Sequence, residues 1–191
     1  MSCMKSILIL VSGMPATGKT SFASWLSKEL NAPLVCYDNI KTKIFKSMYQ
    51  NCKSSKHCNF FDSLPYDFFL FSIEEIMKSS ALLIAEYFFT NQMSDILYNL
   101  TNNYKYETIT IHMDTSSEVA YKRFQERNLN DSSQIGIRPT KISFEQFASS
   151  TKQNKDFRFG KCFIRVNTSD FSTVSYDQIL TQIISMKEKS Q

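Results

Sequence analysis

Short apolar runs alternate with amphipathic ones along this chain. Ile7-Leu8-Ile9-Leu10-Val11 is unbroken and of strand length, the pattern of a strand covered on both faces in a parallel sheet. Lys19 to Leu30 carries Phe22, Trp25, Leu26 and Leu30 at helical spacing, which predicts an amphipathic helix. Pro33 to Tyr37 reads as a second short strand, and Asp38 then opens a helix with Ile40, Ile44 and Met48. Asn51 to Pro65 is polar and without period, and reads as a loop or insertion. Asp67 to Ser80 predicts a helix, Ala81 to Tyr87 a third strand, and Met93 to Asn102 a short helix. Glu107 to Met113 alternates and is β-branched, hence a fourth strand.

Thr115-Ser116-Ser117-Glu118 has the form of a capping box with Thr115 as N-cap, opening a helix to about Arg127. Ala120 and Phe124 line its buried side, while Arg123 and Arg127 share another face one turn apart. Asn128 to Thr140 contains Gly136 and Pro139 and reads as a loop; Lys161 to Asn167 is a fifth strand. A last helix holds Ile179, Leu180, Ile183 and Ile184 on one side. Alternating strands and helices predict an α/β fold, a five-stranded parallel sheet between two helical layers. Residues 1–191 read as a single domain. Ligands of such sheets bind beyond the carboxyl ends of the strands. The residues with chemistry follow strands here: Asp38, Glu86, Asp114 and an eight-residue loop after the first strand.

That loop, Gly13-Met14-Pro15-Ala16-Thr17-Gly18-Lys19-Thr20, matches G-x-x-x-x-G-K-[ST] without a gap. It holds two of only four glycines in the chain. Its glycines let backbone N–H groups turn inward around phosphate oxygens, and the following helix adds the positive end of its dipole. Lys19 is expected to reach the β- and γ-phosphates, and the Thr20 hydroxyl to ligate Mg²⁺. The expected ligands are therefore ATP and magnesium, with Gly13 to Thr20 and the adjoining Ser21 as the binding segment.

From Ile9 to Ile44 the chain resembles the short P-loop kinases: chloramphenicol phosphotransferase, gluconate and shikimate kinases, zeta-type toxins and polynucleotide kinase domains, often labelled as AAA-type ATPases. In them a short strand and an acid follow the P-loop helix, and Leu34-Val35-Cys36-Tyr37-Asp38-Asn39-Ile40-Lys41 fits that pattern. A carboxylate at Asp38 can accept a proton from an acceptor hydroxyl, or orient it. The resemblance implies that role or a water-mediated Mg²⁺ contact, and a helix N-cap is the alternative. Lys41 is a candidate to hold an anionic substrate, or a solvated side chain. Glu86 interrupts an apolar strand, where magnesium water or substrate hydroxyls can satisfy it; an exposed strand end beside a lysine is the other reading.

The resemblance places Arg123 and Arg127 before a lid over residues 128–140, with Arg138 as a lid residue. Mobile arginines there stabilise charge on the phosphoryl oxygens. Arg127 is the first choice, and surface salt bridging is the alternative for all three. Asn167-Thr168-Ser169 falls near the adenine base by resemblance, or is a plain turn. The acceptor pocket is expected to use residues 51–80.

Composition narrows the function less. The formal net charge is +4, from 22 basic and 18 acidic residues, which permits an anionic substrate without requiring nucleic acid. Tyr104-Lys105-Tyr106 is the compact aromatic-basic segment that a nucleic-acid reading would use. Five irregularly spaced cysteines read as free thiols in a reducing cytosol, and no segment reads as a membrane span. The expected activity is γ-phosphoryl transfer from ATP to a hydroxyl of a small-molecule acceptor, by a cytoplasmic monomer or dimer. The alternatives are a polynucleotide 5′-kinase or toxin-like nucleotide-sugar kinase and, in another class, a regulatory ATPase. GTPase-like Asp-x-x-Gly and Asn-Lys-x-Asp motifs do not occur.

Overall fold

The computed structural model describes residues 6–51, 63–130, 142–155 and 157–189. Five strands form one parallel sheet: β1 (Ser6–Gly13), β2 (Leu34–Cys36), β3 (Leu82–Glu86), β4 (Tyr106–Asp114) and β5 (Cys162–Asn167), in the order β2-β3-β1-β4-β5. Seven α-helices are described: α1 (Lys19–Glu29), α2 (Tyr37–Asn51), α3 (Leu64–Met77), α4 (Ser94–Tyr104), α5 (Ser117–Asn130), α6 (Phe144–Lys155) and α7 (Tyr176–Lys189).

The continuous apolar β1 is central, and Leu8 through Val11 are fully buried. Alternate residues face opposite layers. Ile7, Ile9 and Val11 pack with Phe22 and Leu26 of α1 and with Ile179 and Ile183 of α7. Leu8 and Leu10 pack on the other side with Phe69 and Ile73 of α3, Leu97 of α4, and Phe157. A smaller cluster joins Met14 to Ala120 and Phe124 of α5 and Phe147 of α6. The P-loop segment is thereby held by both core layers and by a third group of side chains beside it.

Several boundaries differ from the sequence expectation, for local reasons. α3 starts three residues earlier than expected, at Leu64, because Pro65 occupies its first turn, where no intrahelical N–H is needed. α5 continues past Arg127 to Asn130. α6 was not foreseen: its buried residues are Phe147, Thr151 and Asn154, a half-polar stripe that lacks the apolar period of the other helices. The capping box is not formed as expected. Ser116 Oγ accepts from the Val119 N–H at 3.3 Å, while the Thr115 hydroxyl lies 3.2 Å from Ser169 Oγ. The backbone bond from Thr168 N to Asp114 O, 2.7 Å, brings the two strand ends together and draws Thr115 away from the helix start.

Tyr104 and Tyr106 do not make an open platform. Tyr104 donates to Glu74 at 2.8 Å, and Tyr106 is buried with its hydroxyl on the Ser80 carbonyl. Among the described residues no helix is long and apolar enough to cross a membrane.

Candidate functional site

β1 ends at Gly13 with a positive φ of 144°, and a Cβ there would stand 2.2 Å from the Met113 carbonyl oxygen. Only glycine lets the chain leave the sheet so close to β4. Ala16 (φ 63°) and Gly18 (φ 86°) also take left-handed conformations, and α1 begins immediately after Gly18. Two side-chain bonds close the loop: Thr17 Oγ1 donates to Met14 O at 2.8 Å, and Lys19 Nζ to the same carbonyl at 3.0 Å. Met14 itself is buried against α5 and α6, so its carbonyl is a fixed anchor.

β3 delivers Glu86 to this loop. It stands level with Val11 of β1 and Cys36 of β2, so the three side chains point to one face, toward the start of α1. Only 3% of its surface is exposed, which rules out a solvated strand end. Glu86 Oε1 lies 3.8 Å from Lys19 Nζ. Its Oε2 accepts from Thr20 Oγ1 at 3.4 Å and from the Cys36 thiol at 2.8 Å. Burial lowers the Lys19 pKa, against the opposing pull of Glu86 and Asp38. Burial, then the Glu86 charge, pushes the Cys36 thiol up to about 12.

α2 begins at Tyr37, so Asp38 sits within the first turn rather than at the N-cap position. An acid there is favoured by the helix dipole, but it is also placed to do chemistry. Pro15, Ala16, Gly18, Lys19, Thr20, Ser21, Asp38, Lys41, Glu86 and Arg127 line one cavity of about 340 Å³, walled by Tyr37, Tyr87 and Phe88. Lys41 lies 5.9 Å above the Phe45 ring. Tyr37 and Tyr87 lie 4.3 Å apart, ring to ring, and Phe69 backs Tyr87 at 5.3 Å. These aromatic walls were not anticipated as part of the site; their signal was their position after β2 and β3.

A second cavity, about 830 Å³, opens on the other side of the P-loop between Ala16, Gly18, Ser21, Arg123, Arg127 and Tyr176. Arg127 and Ser21 border both cavities. Arg123 is held differently from its helical neighbour. Its guanidinium donates to Thr168 O and Ser169 O, both at 2.7 Å, and lies 4.0 Å over the Phe171 ring. It therefore fastens the loop after β5 instead of swinging freely, and presents a planar wall beside the P-loop. Asn167 closes that loop by accepting from Ser169 N at 2.9 Å. Phe171 packs so near Gly18 that a Cβ there would meet its ring at 2.8 Å. The proposed lid residue Arg138 lies outside the described residues.

The oxygen set around Lys19 fits magnesium carried by a nucleotide. The Thr20 hydroxyl and the Asp38 and Glu86 carboxylates open on one cavity, and Mg²⁺ takes few protein oxygens when phosphates supply the rest. Ala16 and Gly18 take left-handed conformations just ahead of α1, the kind of turn that lets successive backbone N–H groups receive an anion.

The fold has counterparts among known proteins. The sequence model described as "AAA domain" matches residues 8–150. No curated protein matches the chain. Among solved structures, the chain is similar to a kinase candidate from Chloroflexus aurantiacus J-10-fl, with TM-score 0.74, 18% identity and 100% of both chains covered. It is similar to a gluconokinase from Sinorhizobium meliloti 1021, with TM-score 0.58, 13% identity, and 97% of this chain and 93% of that one covered. It is also similar to a shikimate kinase from Aquifex aeolicus VF5, with TM-score 0.51, 16% identity, and 96% and 97% covered. At these identities the likeness establishes the fold alone, a five-stranded parallel sheet between helical layers. The chain belongs to the AAA domain family.

Proposed function

We propose that this protein is an ATP-dependent kinase that transfers the γ-phosphoryl group to a hydroxyl of a small-molecule acceptor. One observation carries the reading: Lys19, Thr20, Asp38, Glu86 and Arg127 line a single cavity at the carboxyl ends of the strands. A binding switch needs the phosphate loop and a magnesium carboxylate, but it has no use for a second carboxylate that can serve an acceptor hydroxyl.

The roles follow from charge and position. The P-loop backbone from Gly13 to Thr20 cradles the phosphates, and Lys19 neutralises the transferred group. Thr20, with Asp38 or Glu86 through water, would hold Mg²⁺, which would supply positive charge against the phosphates. Asp38 orients the acceptor hydroxyl and takes its proton as the oxygen attacks. Arg127, at the border of both cavities, meets the charge that develops on the phosphoryl oxygens. Lys41 and the Tyr37–Tyr87 wall face the acceptor. The larger cavity beside Arg123 and Tyr176 takes the nucleoside end of ATP. A reducing cytosol is the compartment this reading takes for the protein.

The test is a phosphoryl-transfer screen with γ-labelled ATP and Mg²⁺ against sugars, antibiotics, nucleosides and 5′-hydroxyl RNA. Label on a hydroxyl of a small molecule supports the proposal. Label only on RNA ends moves the acceptor to polynucleotides, and label only in inorganic phosphate opposes the kinase assignment.

A further inference from the structure

We propose that Cys36 is a positioning residue that fixes the Glu86 carboxylate, and with it the oxygen that Glu86 presents to nucleotide-bound magnesium; the inference rests on the nucleotide-binding part of the reading above. β2 is only three residues long, and its last residue, Cys36, stands in register with Glu86 on β3. Register neighbours in a parallel pair send their side chains to the same face. The thiol therefore meets the carboxylate because of the sheet, not because of a flexible rotamer. Its hydrogen is directed at Glu86 Oε2 over 2.8 Å.

Thr20, Lys19 and Cys36 all reach Glu86, and the first two have a competing task. Thr20 Oγ1 lies at 3.4 Å and Lys19 Nζ at 3.8 Å. A triphosphate with its metal engages both, the lysine through phosphate oxygens and the hydroxyl through the metal. When they turn to the ligand, Glu86 keeps Cys36. A carboxylate with 3% exposure that lost every donor would pay a large desolvation penalty or change rotamer. Cys36, itself 4% exposed, is not among the residues that line the cavity.

The thiol is suited to this task by geometry: facing a carboxylate that can only accept, it is the donor of the pair. Cys36 immediately precedes α2, whose first turn carries Asp38, and its side chain reaches Glu86. It sets the spacing between the two elements that bear the site's carboxylates. Residues behind a metal ligand that orient it in this way commonly govern metal affinity.

Cys36→Ala, Cys36→Ser, Glu86→Gln and the double variant Cys36→Ala/Glu86→Gln test the proposal in the full chain. The readout is the Mg²⁺ concentration giving half of the ATP-induced rise in melting temperature. Cys36→Ala is expected to raise it roughly ten-fold, and Cys36→Ser, which keeps a donor, to stay close to wild type. In the Glu86→Gln background the alanine change is expected to add nothing. An unchanged Mg²⁺ dependence in Cys36→Ala, or an effect that persists without the Glu86 carboxylate, overturns the proposal. A wild type that gains no stability from ATP and Mg²⁺ defeats the nucleotide reading instead. The thiol contact is then judged by infrared spectroscopy, which also decides if Cys36→Ala does not fold. The S–H band missing from Cys36→Ser must be a hydrogen-bonded one and must shift in Glu86→Gln; a band that ignores Glu86 refutes the contact.

Discussion

Asn154 donates its side-chain amide to Ser12 Oγ at 2.9 Å, joining α6 to the last turn of sheet before the P-loop. The same amide donates to the Phe89 carbonyl at 2.7 Å, beyond Glu86. Asn154 is fully buried, so its loss would leave two groups without their partner. Asn154→Ala is expected to cost roughly 2–6 kcal/mol, the sum of two such groups. Urea denaturation measures this as a lower midpoint with an unchanged slope. A change within about 0.5 kcal/mol, the range of ordinary surface substitutions, would show that the contact contributes little.

His112 makes stability depend on pH. It stands in register with Ser12, is 1% exposed, and lies against Phe163 at 6.2 Å. Burial lowers its pKa from 6.5 to about 4, against the pull of Asp114. Between those values the unfolded chain binds a proton that the folded chain refuses. Stability from this group is therefore full above pH 6.5 and declines as pH falls toward 4, by on the order of 3 kcal/mol in total. Unfolding free energies measured from pH 7 to pH 4 should show the decline, and His112→Asn should flatten it. An equal slope in the variant would assign the acid sensitivity to other groups.

Lys19 is the P-loop cation, and its amine is already inside the cavity. ATP with Mg²⁺ should raise the melting temperature, because ligand binds the folded state. Lys19→Ala should remove most of that rise. Equal stabilisation of both proteins would count against the phosphate assignment.

Arg127 borders both cavities, and in the proposed mechanism it meets charge mainly in the transition state. Arg127→Ala should lower kcat far more than it weakens ATP binding. Arg123→Ala should act differently, because Arg123 holds the Thr168 and Ser169 carbonyls; nucleotide affinity and stability should fall with it. An unchanged kcat in Arg127→Ala would leave it a surface residue.

The parts of the molecule that obey one strong local rule were legible in the sequence. β1 was an uninterrupted apolar run and the phosphate loop a complete pattern. α1, β3, β4, β5 and α7 followed from periodicity, and Asp38 and Glu86 from strand ends. What escaped depends on contacts between distant residues. α6 is held by a polar stripe, with Asn154 reaching a serine 142 positions away. Cys36 gained its meaning only when β2 came into register with β3. Thr115 looked like a cap until Ser169, 54 residues on, met its hydroxyl. Arg123 and Arg127 were equivalent on a helical wheel, and only the loop after β5 tells them apart.

The central claim is that the chain phosphorylates a hydroxyl and that Asp38 serves that transfer. The deciding measurement is the ratio of phosphorylated acceptor to released phosphate, in wild type and in Asp38→Asn, with the acceptor the screen identifies. Asparagine keeps the size of the side chain and sacrifices only a first-turn acid, about 0.3–1 kcal/mol of helix stability. Folding and ATP-induced stabilisation should persist. Acceptor phosphorylation should fall by roughly 10²-fold, the scale of a lost general base, while slow hydrolysis continues. A folded Asp38→Asn protein that phosphorylates the acceptor at the wild-type rate would contradict the account.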